Sequence, residues 1–461
     1  MILAGALACH STSGPAPAQP GYPGQAAALV FQHGTLINPG DRPVPDATIV
    51  TERDRIICAG PAVDCHGPAG TRPINIRGLY LGPGLTDAHV HYGQTAWVDG
   101  RPDVIDLRAQ YRYDSVAGDL AAHPERFHRA NLCSGVTSVF DVGGFPWTYT
   151  IARRSRNATD APRVVATGPL LSTIMLDQEM LGQFTFMAGD STVRAAVRAH
   201  QASGAEALKV WYLEVPDSLR PHAKAMLMAA GDEARKLGLR LVVHATELAR
   251  AKEAIEAGAV VLVHDVFSST VDPEFLVAAR RGGTIVIPTL TVLEGYADLF
   301  LGRSPGWRYP LDCVDPTTRH KMETILPNTL RAAGKAFWGS PEAARLQATL
   351  ADNLRRMYEA GIPIAMGTDA GNPGTAHGPS VYREMEAMQE SGMPARAVFA
   401  SATMIAARAM GLEGEIGSVS AGKRADLVVF GADPTADIHN ARQVRFVVRN
   451  GVLHSRKDFL P

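Results

Sequence analysis

Short apolar runs separated by amphipathic stretches fill the chain from residue 84 onward. The amphipathic stretches have a helical period, as in 191–203, which ends before Gly204, and in 341–360, which ends before Gly361. The runs have the length and aliphatic content of buried strands and are Leu85–His91, Val136–Val142, Arg163–Thr167, Ala207–Trp211, Arg240–His244, Val260–His264, Thr284–Pro288 and Ile362–Gly367. Alternating strands and helices predict parallel βα units. Eight such units over roughly 330 residues predict an α/β fold, the (β/α)8 TIM barrel.

The two ends of the chain have a shorter alternation that is typical of a small β domain. Its segments are Ala28–Phe31, Ala47–Thr51, Arg55–Cys58, Ile74–Ile76, Asp426–Phe430 and Val444–Val448. Neither end alone has enough strands to bury a face, so we expect both to join in one β-sandwich. The predicted division is an N-terminal tether at 1–27, the first part of the sandwich at 28–82, the barrel at 83–412 and the second part of the sandwich at 413–461.

The connection from Thr289 to Leu350 is unusually long for a βα loop and carries several aromatic residues, among them Tyr296 and Trp307. A long insertion after a barrel strand lies at the end of the barrel where active sites are found. We therefore interpret it as a lid, with an added packing layer as the alternative.

Composition and charge exclude several classes of protein. The 461 residues contain 45 Lys+Arg and 46 Asp+Glu, a net charge of −1, with no long run of one sign. This balance argues against a nucleic-acid partner and against an acidic disordered chain. No apolar stretch reaches the ~18 residues of a membrane helix. We expect a globular protein that takes a small-molecule substrate and forms a homo-oligomer.

The N-terminus resembles the end of a bacterial lipoprotein signal. A small apolar run ends at Cys9 and is followed by an uncharged stretch at 10–27 that is rich in Ser, Pro, Gly and Ala. The positive region of a signal peptide is missing. One interpretation is a lipid anchor at Cys9 and a periplasmic or secreted location. The other is an N-terminus without a function of its own, and a cytoplasmic location stays open.

The remaining four cysteines show no zinc-finger spacing. Cys58 and Cys65 flank a short loop and could pair in an oxidising compartment, or they could be two free thiols. Cys133 and Cys313 stand alone in the sequence, and we expect both to be structural.

Polar residues at the ends of the apolar runs carry the candidate chemistry. His89 and His91 alternate with period two, so both side chains project from one face of a strand. His244 ends the fifth run, His264 ends the sixth, and Asp369 follows the eighth. The inward face at the carboxyl ends of barrel strands is where active sites lie, and imidazoles converging there suit a divalent metal such as zinc.

Lys209, in the fourth run, needs a separate explanation, because metal cations would repel an ammonium group. Burial lowers a lysine pKa and frees the amine, which can add carbon dioxide to give an anionic carbamate that bridges two metals. The alternative is a lysine that extends outward or pairs with Glu206. We favour the carbamate.

With these residues the sequence resembles the amidohydrolase superfamily, in its imidazolonepropionase-like and Xaa-Pro dipeptidase-like branch. The resemblance extends from about residue 28 to 454. Its motifs are GLYLGPGLTDAHVH (78–91), SGVTSVFDVGG (134–144), GAEALKV (204–210), VVHA (242–245), LVHD (262–265), GTDAG (367–371), HG (377–378) and GSVSAGKRADLVVF (417–430). One departure is Val263-His264-Asp265, where relatives commonly have Glu-His-Gly.

The resemblance implies a binuclear metal centre. His89 and His91 would bind the more buried metal, His244 and His264 the second, the carboxylated Lys209 would bridge them, and Asp369 would contact the first. The lysine separates this chain from mononuclear imidazolonepropionase-type members, which lack it. Two metals sharing a water would generate hydroxide, with Asp369 as general base and then as general acid toward the leaving nitrogen.

The substrate is less specified. We expect cleavage of an amide bond in a dipeptide or N-acyl amino acid. An ester, lactone or phosphotriester hydrolase and a non-catalytic binding barrel are the alternatives.

Residues of the strand-end loops supply the candidate substrate contacts. His377 resembles a substrate-facing position of the family, and Tyr212 and Glu247 follow strand ends. The candidate apolar residues are Phe145, Trp147, Tyr149, Met175, Met180, Phe184, Phe186 and Met187; candidates for a carboxylate-binding arginine are Arg153, Arg154 and Arg303.

Overall fold

The computed structural model describes residues 28–175 and 182–461. Cys9 and the rest of the predicted tether lie outside the described residues, as does Met180. Within the described ranges, none of the helices combines the length and the hydropathy needed to cross a membrane.

Strands and helices alternate through the middle of the chain, and strands occupy both ends. The strands are β1 (Ala28–Leu36), β2 (Val44–Glu52), β3 (Arg55–Pro61), β4 (Ile74–Asn75), β5 (Tyr80–Pro83), β6 (Leu85–Val90), β7 (Val136–Asp141), β8 (Arg163–Ala166), β9 (Leu170–Ser172), β10 (Phe184–Phe186), β11 (Ala207–Trp211), β12 (Arg240–His244), β13 (Val261–Val263), β14 (Ile285–Ile287), β15 (Leu427–Phe430), β16 (Val444–Arg449) and β17 (Val452–Ser455). The α-helices are α1 (Tyr113–Ala122), α2 (Glu125–Cys133), α3 (Thr148–Ser155), α4 (Asp190–Ala202), α5 (Arg220–Lys236), α6 (Leu248–Glu256), α7 (Pro273–Gly282), α8 (Leu290–Leu301), α9 (Pro316–Glu323), α10 (Asn328–Trp338), α11 (Pro341–Glu359), α12 (Ser380–Glu390), α13 (Ala395–Ala400) and α14 (Ala406–Ala409).

Both chain ends contribute to one β-rich domain, as the sequence predicted. Its strands form a single hydrogen-bonded sheet in the order β17-β16-β15-β5-β1-β2-β3, with β4 alongside β1. The two ends meet where β15 pairs antiparallel with β5, which places Leu427 opposite Pro83. Apolar side chains from both ends, such as Phe31 and Val429, share one buried cluster, so neither end buries this face alone.

The central strands are parallel, and together with the surrounding helices they form the predicted (β/α)8 TIM barrel. One group runs β6-β7-β8 and the other runs β9-β11-β12-β13-β14, with β10 beside β9. Seven of the eight predicted runs coincide with β6, β7, β8, β11, β12, β13 and β14 to within two residues at each end. Their side chains are almost entirely buried, which is why the runs read as continuous aliphatics.

The eighth run closes the ring without forming a regular strand. On one side, Val286 N donates to Pro363 O at 3.0 Å and Ala365 N donates to Val286 O at 2.9 Å. On the other side, Ala88 N donates to Met366 O at 3.0 Å and Asp369 N donates to His89 O at 2.8 Å. Segment 362–370 therefore bridges β14 and β6 and supplies the last position of the barrel.

Two disulfides link the four described cysteines. Cys58 is bonded to Cys65 beside β3, which selects the paired alternative. Cys133 is bonded to Cys313, 180 residues further along the chain, and this pairing was not predicted. The second bond joins the end of α2 to the long connection after β14.

That long connection, residues 290–340, is called the insertion here. It begins with α8, and its first backbone amides are capped by a distant side chain: Leu290 N and Thr291 N donate to the carboxylate of Glu384 on α12 at 2.9 and 2.8 Å. A side-chain acceptor in this position satisfies amides at a helix N-terminus that have no partner within the helix. Burial raises the pKa of Glu384 from 4.5 to about 7, and the hydrogen bonds from Thr291 and Leu290 lower it only in part.

We predict that Glu384→Gln weakens the pH dependence of stability. Because folding raises the pKa of this carboxyl, it disfavours the ionised form. The contribution of protonated Glu384 to the free energy of unfolding is therefore present below about pH 4.5 and is lost as the pH rises through 7. The difference in the free energy of unfolding between wild type and Glu384→Gln should then change by on the order of 3 kcal/mol over that pH range. Urea unfolding at several pH values measures it, with the exposed Glu359→Gln as control. A difference that does not change with pH would contradict the buried, raised carboxyl.

Candidate metal centre and active site

Six side chains predicted from the sequence meet inside the barrel at the carboxyl ends of its strands. His89 is on β6 and His91 follows it, Lys209 is on β11, His244 ends β12, His264 follows β13 and Asp369 is in the closing segment; all six line one cavity of about 190 Å³. Each is at most partly exposed, and His89 and Lys209 have relative exposures of 0% and 2%.

The shortest contacts in the site centre on Asp369. Its Oδ1 is 2.9 Å from His91 Nε2 and 3.3 Å from His89 Nε2, and those two nitrogens are 3.2 Å apart. Its Oδ2 is 4.0 Å from His264 Nε2. The imidazoles of His264 and His244 are in edge contact, with ring centroids 4.5 Å apart. One carboxylate thus lies between the two imidazoles of β6 and the imidazole after β13.

Hydrogen bonds behind the imidazoles fix how they face the cavity. His91 Nδ1 donates to the Gly143 carbonyl at 2.7 Å, which leaves Nε2 toward the cavity, beside Asp369. His264 Nδ1 is hydrogen bonded to Thr289 Oγ1 at 2.6 Å, which again leaves Nε2 toward the cavity. Gly143 has a φ of 147°, and a Cβ there would lie 2.5 Å from the Leu170 side chain. Metal-binding histidines typically have a hydrogen-bond partner of this kind on the ring nitrogen that does not face the metal.

Three residues at the strand ends have left-handed backbone conformations that cost free energy for residues other than glycine. The φ angles are 69° at His264, 50° at Thr289 and 60° at Asp369. Such conformations persist where the surrounding structure imposes them, and they concentrate at functional sites. Here they turn the chain out of the strand while the side chain stays directed into the barrel.

Lys209 is buried without a charged partner. No carboxylate of a described residue forms an ion pair with its Nζ, and Glu206, the alternative partner, is bonded to Arg156 at 2.6 Å. Burial lowers the pKa of Lys209 to about 7, and the charge of Asp369 raises it only in part. A large fraction of this lysine is therefore a neutral amine near neutral pH.

Three of the four histidines are held in the neutral form that binds metal ions. Burial lowers the pKa of His89 and of His244 well below 6.5, and it lowers that of His264 to about 4. Neutral imidazoles, one carboxylate and one free amine fit divalent metal ions, because imidazole and carboxylate are common zinc ligands.

One wall of the cavity is apolar. Phe184 stacks on Trp211 with ring centroids 5.2 Å apart, and other apolar side chains complete the wall: Leu170, Phe267, Val292 and Leu293. Val292 and Leu293 belong to α8, so the insertion contributes directly to the cavity, as a lid would. Of the apolar loop residues proposed from the sequence, Phe184 lines this cavity and the other described ones do not.

The cavity lining also includes a guanidinium that the sequence analysis missed. Arg101 forms a two-pronged pair with Asp103, with Nε–Oδ1 and Nη2–Oδ2 distances of 2.9 and 2.8 Å, and its Nη1 donates to Asn372 Oδ1. Tyr296 of α8 donates to the same Asn372 oxygen at 2.7 Å. All four side chains line the cavity. The only sequence signal was a charged pair, RPD, shortly after the strand that carries His91.

Several predicted substrate contacts lie elsewhere. His377 is behind His91, where its Nε2 donates to the His91 carbonyl at 3.2 Å and its ring stacks on Phe127. Tyr212 donates its hydroxyl proton to Glu253 at 2.6 Å, outside the cavity lining. The structure therefore gives His377 a supporting position behind a candidate ligand. Glu247 pairs with Arg250 at 2.9 Å.

None of the three arginines proposed from the sequence lines the cavity. Arg153 and Arg154 are exposed on α3, and Arg303 pairs with Asp298 at 2.8 Å. Among the described residues, Arg101 is the arginine that lines the cavity.

Comparison with known proteins identifies the family. The model of the amidohydrolase family matches residues 80–453. The chain belongs to the amidohydrolase family. It is similar to the imidazolonepropionase of Rhizorhabdus wittichii, with 26% identity over 443 residues, 90% of this chain and 93% of that protein. The predicted superfamily and branch are thereby confirmed, and this amidohydrolase is an enzyme, a metal-dependent hydrolase that acts on carbon–nitrogen bonds.

Solved structures show the same fold. A Xaa-Pro dipeptidase with bound methionine in its active site has a TM-score of 0.70 at 24% identity, covering 93% of this chain and all of that chain. Phenylurea hydrolase B has a TM-score of 0.70 at 22% identity, covering 94% and 98%. At these identities the likeness establishes the architecture of the amidohydrolase and leaves its substrate open.

We predict that Thr289→Val weakens metal binding by about 10–100-fold, the usual effect of removing a partner behind a metal-binding histidine. The substitution keeps the β-branched shape but deletes the hydroxyl that is bonded to His264. Competition with a metal chelator measures the affinity. Thr289→Ser, which retains the hydroxyl, should stay near wild type, and an unchanged affinity in Thr289→Val would contradict the role of this hydrogen bond.

Proposed function

We propose that the protein is a binuclear metal hydrolase that cleaves a peptide-like amide bond in a dipeptide or N-acyl amino acid. The observation that carries the proposal is the convergence of six buried or partly buried potential ligands on one cavity. His89, His91 and Asp369 would hold one metal, and His244 and His264 the second. Zinc is the metal we expect, because imidazole nitrogen dominates the set.

Lys209 is proposed to bridge the two metals as a carbamate. Its neutral amine would add carbon dioxide, forming a nitrogen–carbon bond and releasing one proton. The pKa of about 7 and the absence of a described carboxylate partner support this step, because both leave the amine free to react. The product is an anion, which removes the repulsion that an ammonium group would cause beside metal cations.

Asp369 is proposed as the proton carrier. Two bound divalent ions would make a water molecule acidic and polarise the substrate carbonyl. Asp369 Oδ2, the oxygen that is not in close contact with His89 and His91, would accept the proton of the attacking water. The same carboxyl would then deliver it to the leaving nitrogen, which departs as an amine.

The polar side of the cavity supports a substrate with a free carboxylate. Arg101 lines the cavity with its guanidinium oriented by Asp103 and Asn372, and Tyr296 lies against the same asparagine. The Phe184–Trp211 wall of the same cavity would take an apolar acyl or side-chain group. A carboxylate at one end and an apolar group at the other describe a dipeptide or an N-acyl amino acid.

An ester, lactone or phosphotriester hydrolase is the second candidate function, because the same activated water attacks any of these centres. The acyl group of a carboxylic ester would fit the apolar wall, but most such esters lack the free carboxylate that Arg101 would bind. A non-catalytic barrel is disfavoured by the presence of Asp369 together with all the other ligands.

We also propose a periplasmic or secreted location. Two disulfides support it, since paired cysteines are rare in the reducing cytoplasm. The lipid anchor at Cys9 and the homo-oligomer stay predictions. Fractionation of cells that express the full chain would test the location, and recovery in the cytoplasm with all cysteines reduced would contradict it.

We predict that Lys209→Ala abolishes activity and leaves less than about one equivalent of metal after supply of zinc and bicarbonate, because the bridging anion is lost. Small carboxylic acids should restore part of the activity by occupying the same place. Elemental analysis and initial rates measure both, with the exposed Lys236→Ala as control. Full activity in Lys209→Ala would refute the bridge, and wild type with less than about one equivalent would refute the binuclear centre.

We predict that Arg101→Met raises KM about 10–100-fold for N-acyl amino acids and dipeptides, which is the loss of one charge-assisted hydrogen bond. The corresponding substrates with an amidated carboxyl group should be affected little, and so should kcat. A panel of N-acyl amino acids, dipeptides, lactones and aryl phosphates is assayed in wild type, Arg101→Met and the exposed Arg153→Met. Equal effects on charged and amidated substrates would refute carboxylate recognition, and a preference for lactones or aryl phosphates would favour the second candidate.

A further inference from the structure

The insertion packs over the two loops that carry the polar side of the cavity. Tyr309, Val314 and Met322 share a buried cluster with Ala96, which follows the His91 strand, and with Ala376, which follows Asp369 and Asn372. A second cluster joins Leu326 to Trp97 and Val98. The position of the insertion therefore constrains both loops.

Polar contacts fix the insertion to the same two loops. Tyr309 donates its hydroxyl proton to the Gly374 carbonyl at 2.7 Å. Lys321 on α9 donates to Asp99 Oδ2 at 2.7 Å, and the Asp99 side chain is fully buried. Asp99 stands two residues before Arg101, and its other oxygen accepts from Thr95 at 2.5 Å. The loop that carries Arg101 is therefore held by a buried carboxylate whose cationic partner belongs to the insertion.

The Cys133–Cys313 disulfide anchors this arrangement to the wall of the barrel. Cys313 lies between Tyr309 and α9, and Cys133 is the last residue of α2, immediately before β7. Both cysteines are buried, with exposures of 2% and 0%. Arg456 reinforces the junction, since it donates to Asp312 and to the Cys133 carbonyl at 2.7 and 3.2 Å. Cys313 is thus only eight residues before Lys321 in the chain.

We propose that the Cys133–Cys313 disulfide is a positioning element for substrate recognition: through the insertion and the Lys321–Asp99 pair it holds Arg101 at the cavity. The inference rests on the proposed function, in which Arg101 contacts the substrate carboxylate. The candidate metal ligands are on barrel strands, directly after them or in the closing segment, outside the insertion. Loss of the disulfide therefore lowers the fraction of molecules with Arg101 in place without altering the reacting groups, and apparent affinity falls with that fraction.

The test compares two double variants of the full chain. Cys133→Ala with Cys313→Ala removes the disulfide beside the cavity, and Cys58→Ala with Cys65→Ala removes the one in the terminal β domain, as a matched control. Both are assayed well below their own unfolding temperatures. We expect the first to raise KM for an N-acyl amino acid about tenfold, or about 1.4 kcal/mol of binding free energy, with kcat and the KM of the amidated substrate nearly unchanged. The control should keep both KM values.

A second variant tests the link without disturbing a disulfide. Lys321→Met leaves Asp99 buried and unpaired, so it should produce the same selective rise in KM, whereas Lys335→Met on the exposed part of the insertion should not. If both the Cys133/Cys313 variant and Lys321→Met lose stability but keep the wild-type KM, the disulfide is structural only and the proposal is overturned.

Hydrogen exchange separates this inference from the proposed function. Loss of the Cys133–Cys313 bond should speed amide exchange in residues 95–103, and loss of the Cys58–Cys65 bond should not. If wild type hydrolyses no substrate with a free carboxylate, the proposed function fails, and exchange still decides whether the disulfide holds the loop. Unchanged exchange in 95–103 overturns the positioning role whatever the activity.

Discussion

The hydrogen bonds that close the barrel also assemble the site. Segment 362–370 is bonded to β14 on one side and to β6 on the other, and the bond from Asp369 N to His89 O belongs to this set. The contact is close enough that a Cβ on Gly367 would lie 2.9 Å from His89 Cβ. Ring closure and the approach of Asp369 to His89 and His91 are therefore the same event. A substitution that weakens these hydrogen bonds therefore affects the stability of the barrel and the geometry of the candidate site together.

Much of the candidate site could be predicted because its residues end buried strands. Continuous aliphatics identify a strand, and period-two alternation gives its inward face, so His89, His91 and Lys209 could be placed from local sequence. Arg101 could not, because its position depends on how a loop without regular periodicity packs under the insertion. The contact of His377 with the His91 carbonyl could not be predicted for a related reason: it joins residues 286 positions apart. The Cys133–Cys313 pairing likewise depends on tertiary structure alone.

The cavity separates chemistry from recognition. The candidate metal ligands are on strands or in the segment that replaces the eighth, where neighbouring hydrogen bonds leave little freedom. The other residues that line the cavity, including Arg101, Tyr296 and Phe184, come mainly from the loops, the insertion and the short strand β10. Such a division lets loops change while the reacting groups stay in place, which is how one barrel architecture comes to serve different substrates.

The pairing of β5 with β15 has a consequence for biosynthesis. Pro83 is opposite Leu427, so the N-terminal strands emerge from the ribosome long before their partner exists. At 5–20 residues per second the delay is about 20–70 s. Throughout it, β5 presents an open edge that can pair with other nascent chains. A chain truncated before residue 427 would keep that edge permanently, so loss of the C-terminal strands should lead to aggregation even where the barrel has formed.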